Sequence, residues 1–284
     1  MYLFENVLDK IVNTAEQATA EKPATESTND YIGDDGLKHC GNCGGAKQIV
    51  TEAMGIVKTV NCICKCQRER DEALKTLNQR YIEIGKNRSV GIQDKKLTSY
   101  NFQSDDGSNP QIRDFAERYV KNFKGAKENN LGVIFYGEWG TGKSFYAGCI
   151  ANALLDVGFS VLATSVVRLT NHLFKETDKN AFLRELCSYD LLIIDDLGAE
   201  QDSEYKKEQI FSIIDERYKS DKPVIITTNL NPQTFSEITD GRGRSYNRIL
   251  EMCTPVEVNG QRRKAVGQAK AKMLNDLLYG NTAQ

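Results

Sequence analysis

Short apolar runs alternate with longer amphipathic stretches along the second half of the chain. The apolar runs predict strands at 132–136, 160–164, 191–195 and 224–228. The stretches between them predict helices at 144–157, 166–176, 179–188 and 202–219. Because strands that alternate with helices are typical of a parallel sheet covered on both faces, the pattern predicts an α/β fold.

The first half of the chain has a different pattern. The features expected there, in chain order, are an amphipathic helix at 2–20, a polar linker at 19–35, a cysteine-rich segment at 39–66, a charged helix at about 67–85, an irregular stretch at 86–109 and a helix near 111–124. We therefore predict a small N-terminal domain over 1–90, a linker over 91–110 and an α/β domain over 111–284.

Composition and charge limit what the protein does. The 284 residues carry a formal net charge of −2, so any attraction to nucleic acid must come from a local basic patch. Neither a signal-peptide pattern nor a run of about 18 apolar residues is found, so we expect a cytoplasmic protein with no membrane partner. In a reducing compartment, the eight cysteines are better explained as thiols or metal ligands than as disulfides.

A phosphate-binding motif follows the first predicted strand. The pattern G-x-x-x-x-G-K-S is met in full by Gly137, Glu138, Trp139, Gly140, Thr141, Gly142, Lys143 and Ser144. Between a strand and a helix, such glycines let backbone N–H groups converge on phosphate oxygens, and the helix N-terminus adds partial positive charge. We expect Lys143 to pair with the β- and γ-phosphates of ATP, and the Ser144 hydroxyl to ligate Mg²⁺.

Polar residues end two later strands of the predicted sheet. Asp195 and Asp196 follow a four-residue apolar run, and Asn229 follows the next apolar strand. Ligands of α/β sheets bind at the carboxyl ends of strands. We expect Asp195 to hold Mg²⁺ through water, Asp196 to orient or deprotonate the attacking water, and Asn229 to contact the γ-phosphate or that water. An ordinary strand terminus is the alternative for Asn229.

Two cysteine pairs about twenty residues apart predict a structural Zn²⁺ site. The favoured ligands are Cys40, Cys43, Cys64 and Cys66. The first pair lies next to two glycines, which suit the tight turn of a metal knuckle. The second pair has C-x-C spacing rather than the commoner C-x-x-C, so Cys62 or His39 are substitutes. Unligated thiols and an iron–sulfur cluster are the alternatives.

These motifs, in this order, resemble those of AAA+ ATPases, with Asn229 in the sensor-1 position. The match is closer to helicase loaders of the DnaC/DnaI type and the related IstB transposition helpers, and covers roughly 97–272. Besides the two phosphate-site motifs it is carried by Ile214–Tyr218, Lys222–Asn229, Arg244–Met252 and Val256–Arg263. The resemblance implies an ATP-dependent loader, of host or phage origin, that binds the replicative DNA helicase and single-stranded DNA and assembles into a ring or spiral homo-oligomer.

The same resemblance assigns roles to three arginines. Arg248 matches the arginine finger that reaches a neighbouring subunit's γ-phosphate, with Arg244 as the rival candidate. Arg263 lies where sensor 2 is expected, but only 55 residues follow Asn229, so the helical lid is expected to be reduced or absent. Most AAA+ proteins have Glu at the position of Asp196, so hydrolysis is expected to be slow and stimulated by a partner or DNA.

Two other functions fit parts of the sequence. A transposition helper of the IstB type shares the ATPase motifs, but such proteins generally lack a zinc module, whereas a cysteine pair followed by C-x-C precedes the ATPase of DnaI-like loaders. A small-molecule P-loop kinase shares the phosphate loop but not the sensor-1 strand or the arginine pair. For DNA phosphates, the candidate contacts are Arg168, Lys175, Lys206 and Lys207.

Overall fold

The computed structural model describes residues 30–198, 204–237, 243–260 and 272–277. The predicted helix at 2–20, most of the predicted linker at 19–35, and Arg263 lie outside these ranges. The chain divides into two compact units, Met1–Tyr81 and Ile82–Gln284. Among the residues described, no helix has the length and apolar composition needed to cross a bilayer.

The described part of the first unit is built from two small antiparallel sheets and the start of a long helix. Its elements are β1 (Tyr31–Ile32), β2 (Lys38–His39), β3 (Gln48–Ala53), β4 (Ile56–Asn61) and α1 (Lys65–Gly91). Strand β1 pairs with β2 and β3 pairs with β4. The two-residue turn between β3 and β4 consists of Met54 and Gly55, both with positive φ (55° and 75°), as tight hairpin turns require.

A five-stranded sheet with every strand parallel forms the centre of the second unit. The strands are β5 (Gly132–Tyr136), β6 (Val161–Ser165), β7 (Leu191–Leu197), β8 (Val224–Thr228) and β9 (Cys253–Glu257), and they lie in the order β6-β7-β8-β5-β9. Their side chains are buried along most of β5 to β8. The predicted α/β fold is therefore confirmed, and the four predicted strands agree with the structure to within two residues.

Helices connect and cover these strands. They are α2 (Lys95–Thr98), α3 (Pro110–Lys121), α4 (Phe123–Glu128), α5 (Lys143–Asp156), α6 (Val166–Lys175), α7 (Lys179–Ser188), α8 (Glu204–Lys219) and α9 (Gly243–Met252), with 3₁₀ turns at Phe102–Ser104 and Pro232–Glu237. Residues 272–277 are also helical. A strand-then-helix order places the helix N-termini beside the carboxyl ends of the strands, which is where the predicted site residues lie.

The stretch 86–109, predicted to be irregular, is so only in part, because it contains the end of α1, helix α2 and a 3₁₀ turn. Helix α1 continues to Gly91, where a Cβ would come within 2.5 Å of a carbonyl oxygen of β6. Ile92 forms a parallel bridge with Ala163, so the chain covers the open edge of the sheet at β6. Leu97 is buried, and the Asn152 amide donates a hydrogen bond of 2.8 Å to its carbonyl. These contacts come from residues distant in sequence, so the local pattern did not show them.

Candidate functional site

Three glycines give the phosphate loop between β5 and α5 its shape. Gly137, Gly140 and Gly142 have φ values of 138°, 80° and 105°, a region that glycine adopts without steric cost. At Gly137 a Cβ would come 2.7 Å from the carbonyl oxygen of Val258, so the loop lies closely against the end of β9. Gly142 is the N-cap of α5, whose first N–H groups have no partner within the helix. The loop therefore presents a helix N-terminus of the kind that binds phosphate.

Lys143 reaches back across this loop. Only 5% of the residue is exposed, and its Nζ donates hydrogen bonds to the carbonyl oxygens of Gly137 (2.9 Å) and Glu138 (2.6 Å). Burial lowers the pKa of Lys143, and the nearby charges of Asp196 and Asp195 oppose that shift. The structure therefore brings the predicted lysine and the two predicted carboxylates into one electrostatic cluster.

The acidic pair lies where β7 departs from regular pairing with β8. The register shifts between Ile194 and Leu197, and Asp196 has a φ of 57°. Asp tolerates this left-handed conformation better than most residues. Burial, with a further contribution from the charge of Asp195, raises the pKa of Asp196, while Lys143 lowers it. The bulge gives the two adjacent carboxylates different environments.

Sequence reasoning missed one residue of this cluster, Thr227 on β8. It is fully buried, its Oγ1 accepts a hydrogen bond from the Asp196 N–H at 2.9 Å, and it donates to Oδ1 of Asp195 at 2.5 Å. In the sequence, the strand that contains it is an apolar run that ends at Asn229. The signal was the pair of hydroxyl residues before that asparagine, since a buried hydroxyl needs a partner.

Asn229 lies at the end of β8, beside the phosphate loop. Its Oδ1 is buried and accepts no hydrogen bond from the described part of the chain. A cavity of about 580 Å³ lies here, at the carboxyl ends of β5, β8 and β9. It is lined by Tyr136, Gly137, Glu138, Trp139, Asn229, Asn231, Glu257 and Asn259. The predicted sensor residue thus faces the same cavity as the phosphate loop.

Both finger candidates lie on α9. Arg248 forms an ion pair with Asp215 of α8, and its guanidinium lies 4.8 Å from the centroid of the Phe211 ring. Arg244 lies 5.2 Å from the same ring and is exposed. In this structure Arg248 is therefore held by α8, whereas Arg244 is the more accessible of the two.

Another arginine, to which the sequence assigns no role of its own, has a structural role. Arg217 is fully buried, and burial lowers its pKa to about 10. Its guanidinium donates to the carbonyl oxygens of Leu186, Tyr189, Asp190 and Pro223. It thereby ties the end of α8 to the turns that precede β7 and β8.

An exposed aromatic pair lies between α6 and the start of α8. The rings of Phe174 and Tyr205 are 5.8 Å apart and nearly perpendicular, and the two residues are 67% and 42% exposed. Lys179 Nζ donates to the Tyr205 hydroxyl at 3.1 Å. Neither aromatic belongs to a motif recognisable in the sequence. Four basic residues were predicted to contact DNA phosphates. Arg168 and Lys175 are exposed, Lys206 is half-buried and Lys207 is buried.

The four favoured cysteine ligands come together in the first unit. Their sulfur atoms all lie within 4.8 Å of one another, and these residues are Cys40, Cys43, Cys64 and Cys66. A tetrahedral site with Zn–S bonds of about 2.3 Å places sulfurs about 3.8 Å apart, so the donor set fits Zn²⁺. The two substitutes point elsewhere, because Cys62 donates to the Ala46 carbonyl and His39 Nε2 contacts Asp35. Hydrogen bonds from the backbone of Cys66 and Gly45 lower the pKa of Cys43 to about 6, which favours the thiolate.

The five-stranded parallel sheet, the phosphate loop after β5 and the acidic pair at the end of β7 define an AAA+ P-loop fold. Residues 66–270 match the model of the family described as IstB-like ATP binding protein, and the chain belongs to that family.

Relatives and solved structures agree with this assignment. The replicative helicase loader DnaC of Escherichia coli K12 is 35% identical over 133 residues, which cover 45% of this chain and 53% of DnaC. The replicative helicase loader DnaI of Bacillus subtilis 168 is 25% identical over 198 residues, or 62% of each chain. The chain thus spans about half the length of the DnaC relatives it matches. A crystal structure of the DnaC helicase loader, 25% identical, matches with a TM-score of 0.51 over 58% of this chain and all of that one. A crystal structure of DnaI has the same fold (TM-score 0.52, 23% identity, 62% of this chain and 98% of that one).

Proposed function

We propose that this protein is an ATP-dependent helicase loader in DNA replication, which binds the replicative helicase and single-stranded DNA. One observation carries the proposal: the phosphate loop, the acidic pair and Asn229 meet at one edge of the sheet, in a chain related to replicative helicase loaders. Loading is an energy-requiring remodelling of a partner, and Asn229 at the end of β8 together with the arginine pair on α9 favours a loader over a small-molecule kinase.

The nucleotide site has the groups that ATP and Mg²⁺ need. The first N–H groups of α5 would bind phosphate oxygens, and Lys143 would exchange its two carbonyl partners for the β- and γ-phosphates. Ser144 and Asp195 would hold Mg²⁺, which when bound neutralises charge that develops on the transferring phosphoryl group. Asp196, ionised above its raised pKa, would orient or deprotonate the attacking water. Its side chain is one methylene shorter than Glu, so we propose slow turnover that helicase or DNA stimulates.

The aromatic pair of Phe174 and Tyr205 supports binding of single-stranded DNA. Base–aromatic stacking suits single strands, whose bases expose their faces, and nearby cations attract the backbone. Lys179 lies at the pair, and Lys175 follows Phe174 on the same helix. Because the net charge of the chain is −2, such local groups must supply the attraction.

The first unit is proposed as the helicase-interacting domain, within 1–90, held by Zn²⁺ on its four cysteines. Its β3–β4 hairpin exposes apolar side chains over both strands and the turn, where Met54 is fully exposed. The others are Ile49, Val50, Ile56, Val57 and Val60. A two-stranded hairpin buries little apolar area by itself, and an exposed apolar surface of this kind is typical of a protein-binding site. Residues 91–110 would connect this domain to the ATPase domain at 111–284 while they pack on the sheet of the latter, where Ile92 forms a bridge with Ala163.

Assembly into a ring or spiral homo-oligomer, on binding of ATP or helicase, is proposed from α9. Arg248, or the more exposed Arg244, would reach the γ-phosphate of a neighbouring subunit and stabilise charge there. For Arg248 this requires the ion pair with Asp215 to open or to be shared across the interface. Arg244 is exposed and Arg248 is held by Asp215, so the two candidates for the finger can be distinguished by separate substitutions.

A transposition helper is the second candidate, favoured by the family model, whose description names IstB. The cluster of Cys40, Cys43, Cys64 and Cys66 argues for the loader, because a separate structural metal unit suits recognition of a second protein. Binding to a replicative helicase, rather than to a transposase–DNA complex, distinguishes the two functions.

The test pairs partner binding with nucleotide binding. The tagged chain is mixed with the host's replicative helicase, and a stable complex with the helicase is expected on gel filtration. Lys143→Ala should lose ATP binding in a titration with a fluorescent ATP analogue while it keeps its circular dichroism spectrum. Lys121→Ala, which changes an exposed lysine on α3, should bind ATP like the wild type. Nucleotide binding by Lys143→Ala at wild-type affinity contradicts the site, and the absence of a helicase complex contradicts the loader.

A further inference from the structure

Thr227 connects the carboxylate of Asp195 to the backbone N–H of Asp196 through a single hydroxyl group. The residue is fully buried on β8, and its Oγ1 lies 2.9 Å from the Asp196 nitrogen and 2.5 Å from Oδ1 of Asp195. No other described side chain hydrogen-bonds to Oδ1 of Asp195. The contact therefore crosses from the sensor strand to the strand that carries the acidic pair.

The directions of these two hydrogen bonds are determined by chemistry. A backbone N–H only donates, so the hydroxyl accepts from Asp196. A carboxylate only accepts, so the single hydroxyl proton goes to Oδ1 of Asp195. One oxygen of Asp195 is thereby committed to Thr227, and Oδ2 remains for a metal ion or its water. A charge-assisted O–H···O⁻ bond as short as 2.5 Å holds the carboxylate firmly.

The second bond supports the unusual backbone at Asp196. The register of β7 against β8 shifts at this point, and a φ of 57° at a non-glycine residue costs free energy that surrounding contacts must offset. The bulge also leaves the Asp196 N–H without its regular ladder partner, and the threonine hydroxyl takes that place. Without the hydroxyl, the half-buried Asp196 N–H and the half-buried Oδ1 of Asp195 both lose this partner.

We propose that Thr227 is a positioning residue of the nucleotide site, which orients Asp195 towards the divalent cation and fixes Asp196 on the bulge beside it. The inference rests on the proposed ATPase function. Groups that hydrogen-bond to metal-ligating carboxylates typically change metal affinity or activity by about 10–100-fold when removed. An effect on the cation that spares metal-free nucleotide binding distinguishes this role from general support of the fold.

The experiment measures the cation directly, with Mn²⁺ as the probe in place of Mg²⁺. Electron paramagnetic resonance gives the dissociation constant of Mn²⁺ in the presence of a non-hydrolysable ATP analogue. For Thr227→Val we expect that constant to rise about 10–100-fold. Thr227→Ala should behave in the same way, and Thr227→Ser, which keeps the hydroxyl, should restore binding close to wild type. Affinity for the analogue in EDTA should stay unchanged in all three variants.

Thr228 provides a matched control on the same strand. It is also fully buried, but its hydroxyl donates to the Leu197 carbonyl and accepts from the Leu230 N–H, away from both carboxylates. Thr228→Val should therefore lose stability without losing Mn²⁺ affinity. Wild-type Mn²⁺ affinity in Thr227→Val and Thr227→Ala overturns the inference, as does an equal loss in Thr228→Val. If Thr227→Val does not fold, the comparison of the Ala and Ser variants decides. A wild-type chain that binds no nucleotide contradicts the proposed function itself.

Discussion

Removal of the Phe174 ring should weaken binding of single-stranded DNA without loss of stability. The side chain is one of two exposed aromatics that form the proposed stacking platform, and 67% of the residue is accessible. Few of its contacts support the core, so Phe174→Ala costs little free energy of folding. The expected loss is the stacking energy of one base, about 1–3 kcal/mol. Since 1.4 kcal/mol is a factor of ten, the dissociation constant should rise about 5–150-fold.

The contact between Phe174 and Tyr205 affects the expected loss of DNA affinity. Tyr205 meets Phe174 edge-to-face with centroids 5.8 Å apart, and such pairs are worth about 0.5–1.5 kcal/mol beyond the area they bury. Loss of one ring therefore also frees the other to move. The double variant with Tyr205→Ala should lose less than the sum of the two single losses.

Fluorescence anisotropy of a labelled oligothymidine, measured across a series of salt concentrations, separates stacking from charge. Phe174→Ala should shift the whole curve of log Kd against log salt and leave its slope unchanged. Lys175→Ala should reduce the slope by about 0.7, the value for one phosphate of a single strand. Tyr81→Ala removes an exposed aromatic from α1 and should leave both unchanged. Wild-type affinity in Phe174→Ala, or an equal loss in Tyr81→Ala, would refute the platform.

Three further outcomes follow from the site and the cysteine cluster. Metal analysis should find about one Zn²⁺ per chain, and Cys40→Ser with Cys43→Ser should remove it while ATP binding is retained; a metal-free native chain contradicts the cluster's role. Arg248→Ala should bind ATP but turn it over more slowly, and mixing with Lys143→Ala should restore part of the rate; if Arg244→Ala alone has this behaviour, the finger is Arg244. Asp196→Asn should keep nucleotide affinity and lose turnover, and wild-type turnover should fall in acid at a higher pH than for an ordinary carboxylate, because burial raises the pKa of Asp196. A turnover-competent Asp196→Asn variant would show that another group activates the water.

The sequence was most informative where function depends on local backbone shape. The phosphate loop needs glycine where the backbone has positive φ, and those φ values depend on residues close in sequence. The run from Gly137 to Ser144, with its flanking strand and helix, was therefore recognisable. The cysteine spacing was similarly informative, since Cys40, Cys43, Cys64 and Cys66 come together through one tight turn, the β3–β4 hairpin and the start of α1. Both kinds of site are encoded over short separations.

Features that depend on contacts between residues far apart in sequence could not be predicted from the sequence. Thr227 lies 31 residues from Asp196 along the chain, and only the pairing of β7 with β8 brings the two together. Phe174 and Tyr205 are similarly far apart, and each by itself is an ordinary aromatic on a helix. The Leu97 carbonyl accepts its hydrogen bond from Asn152, 55 residues away. No periodicity or motif records such pairs, because the fold alone decides which residues meet.

The most direct test of the central claim is a loading assay on single-stranded DNA circles, which have no free end for a ring helicase to thread. The host's replicative helicase, the circles and ATP are mixed with this chain, and DNA-bound helicase is separated by gel filtration. The account predicts helicase on the circles with the wild-type chain and ATP. It predicts a background level with Lys143→Ala, and a reduced level with Phe174→Ala. Loading that is the same with Lys143→Ala as with wild type, or no loading with wild type, would contradict it.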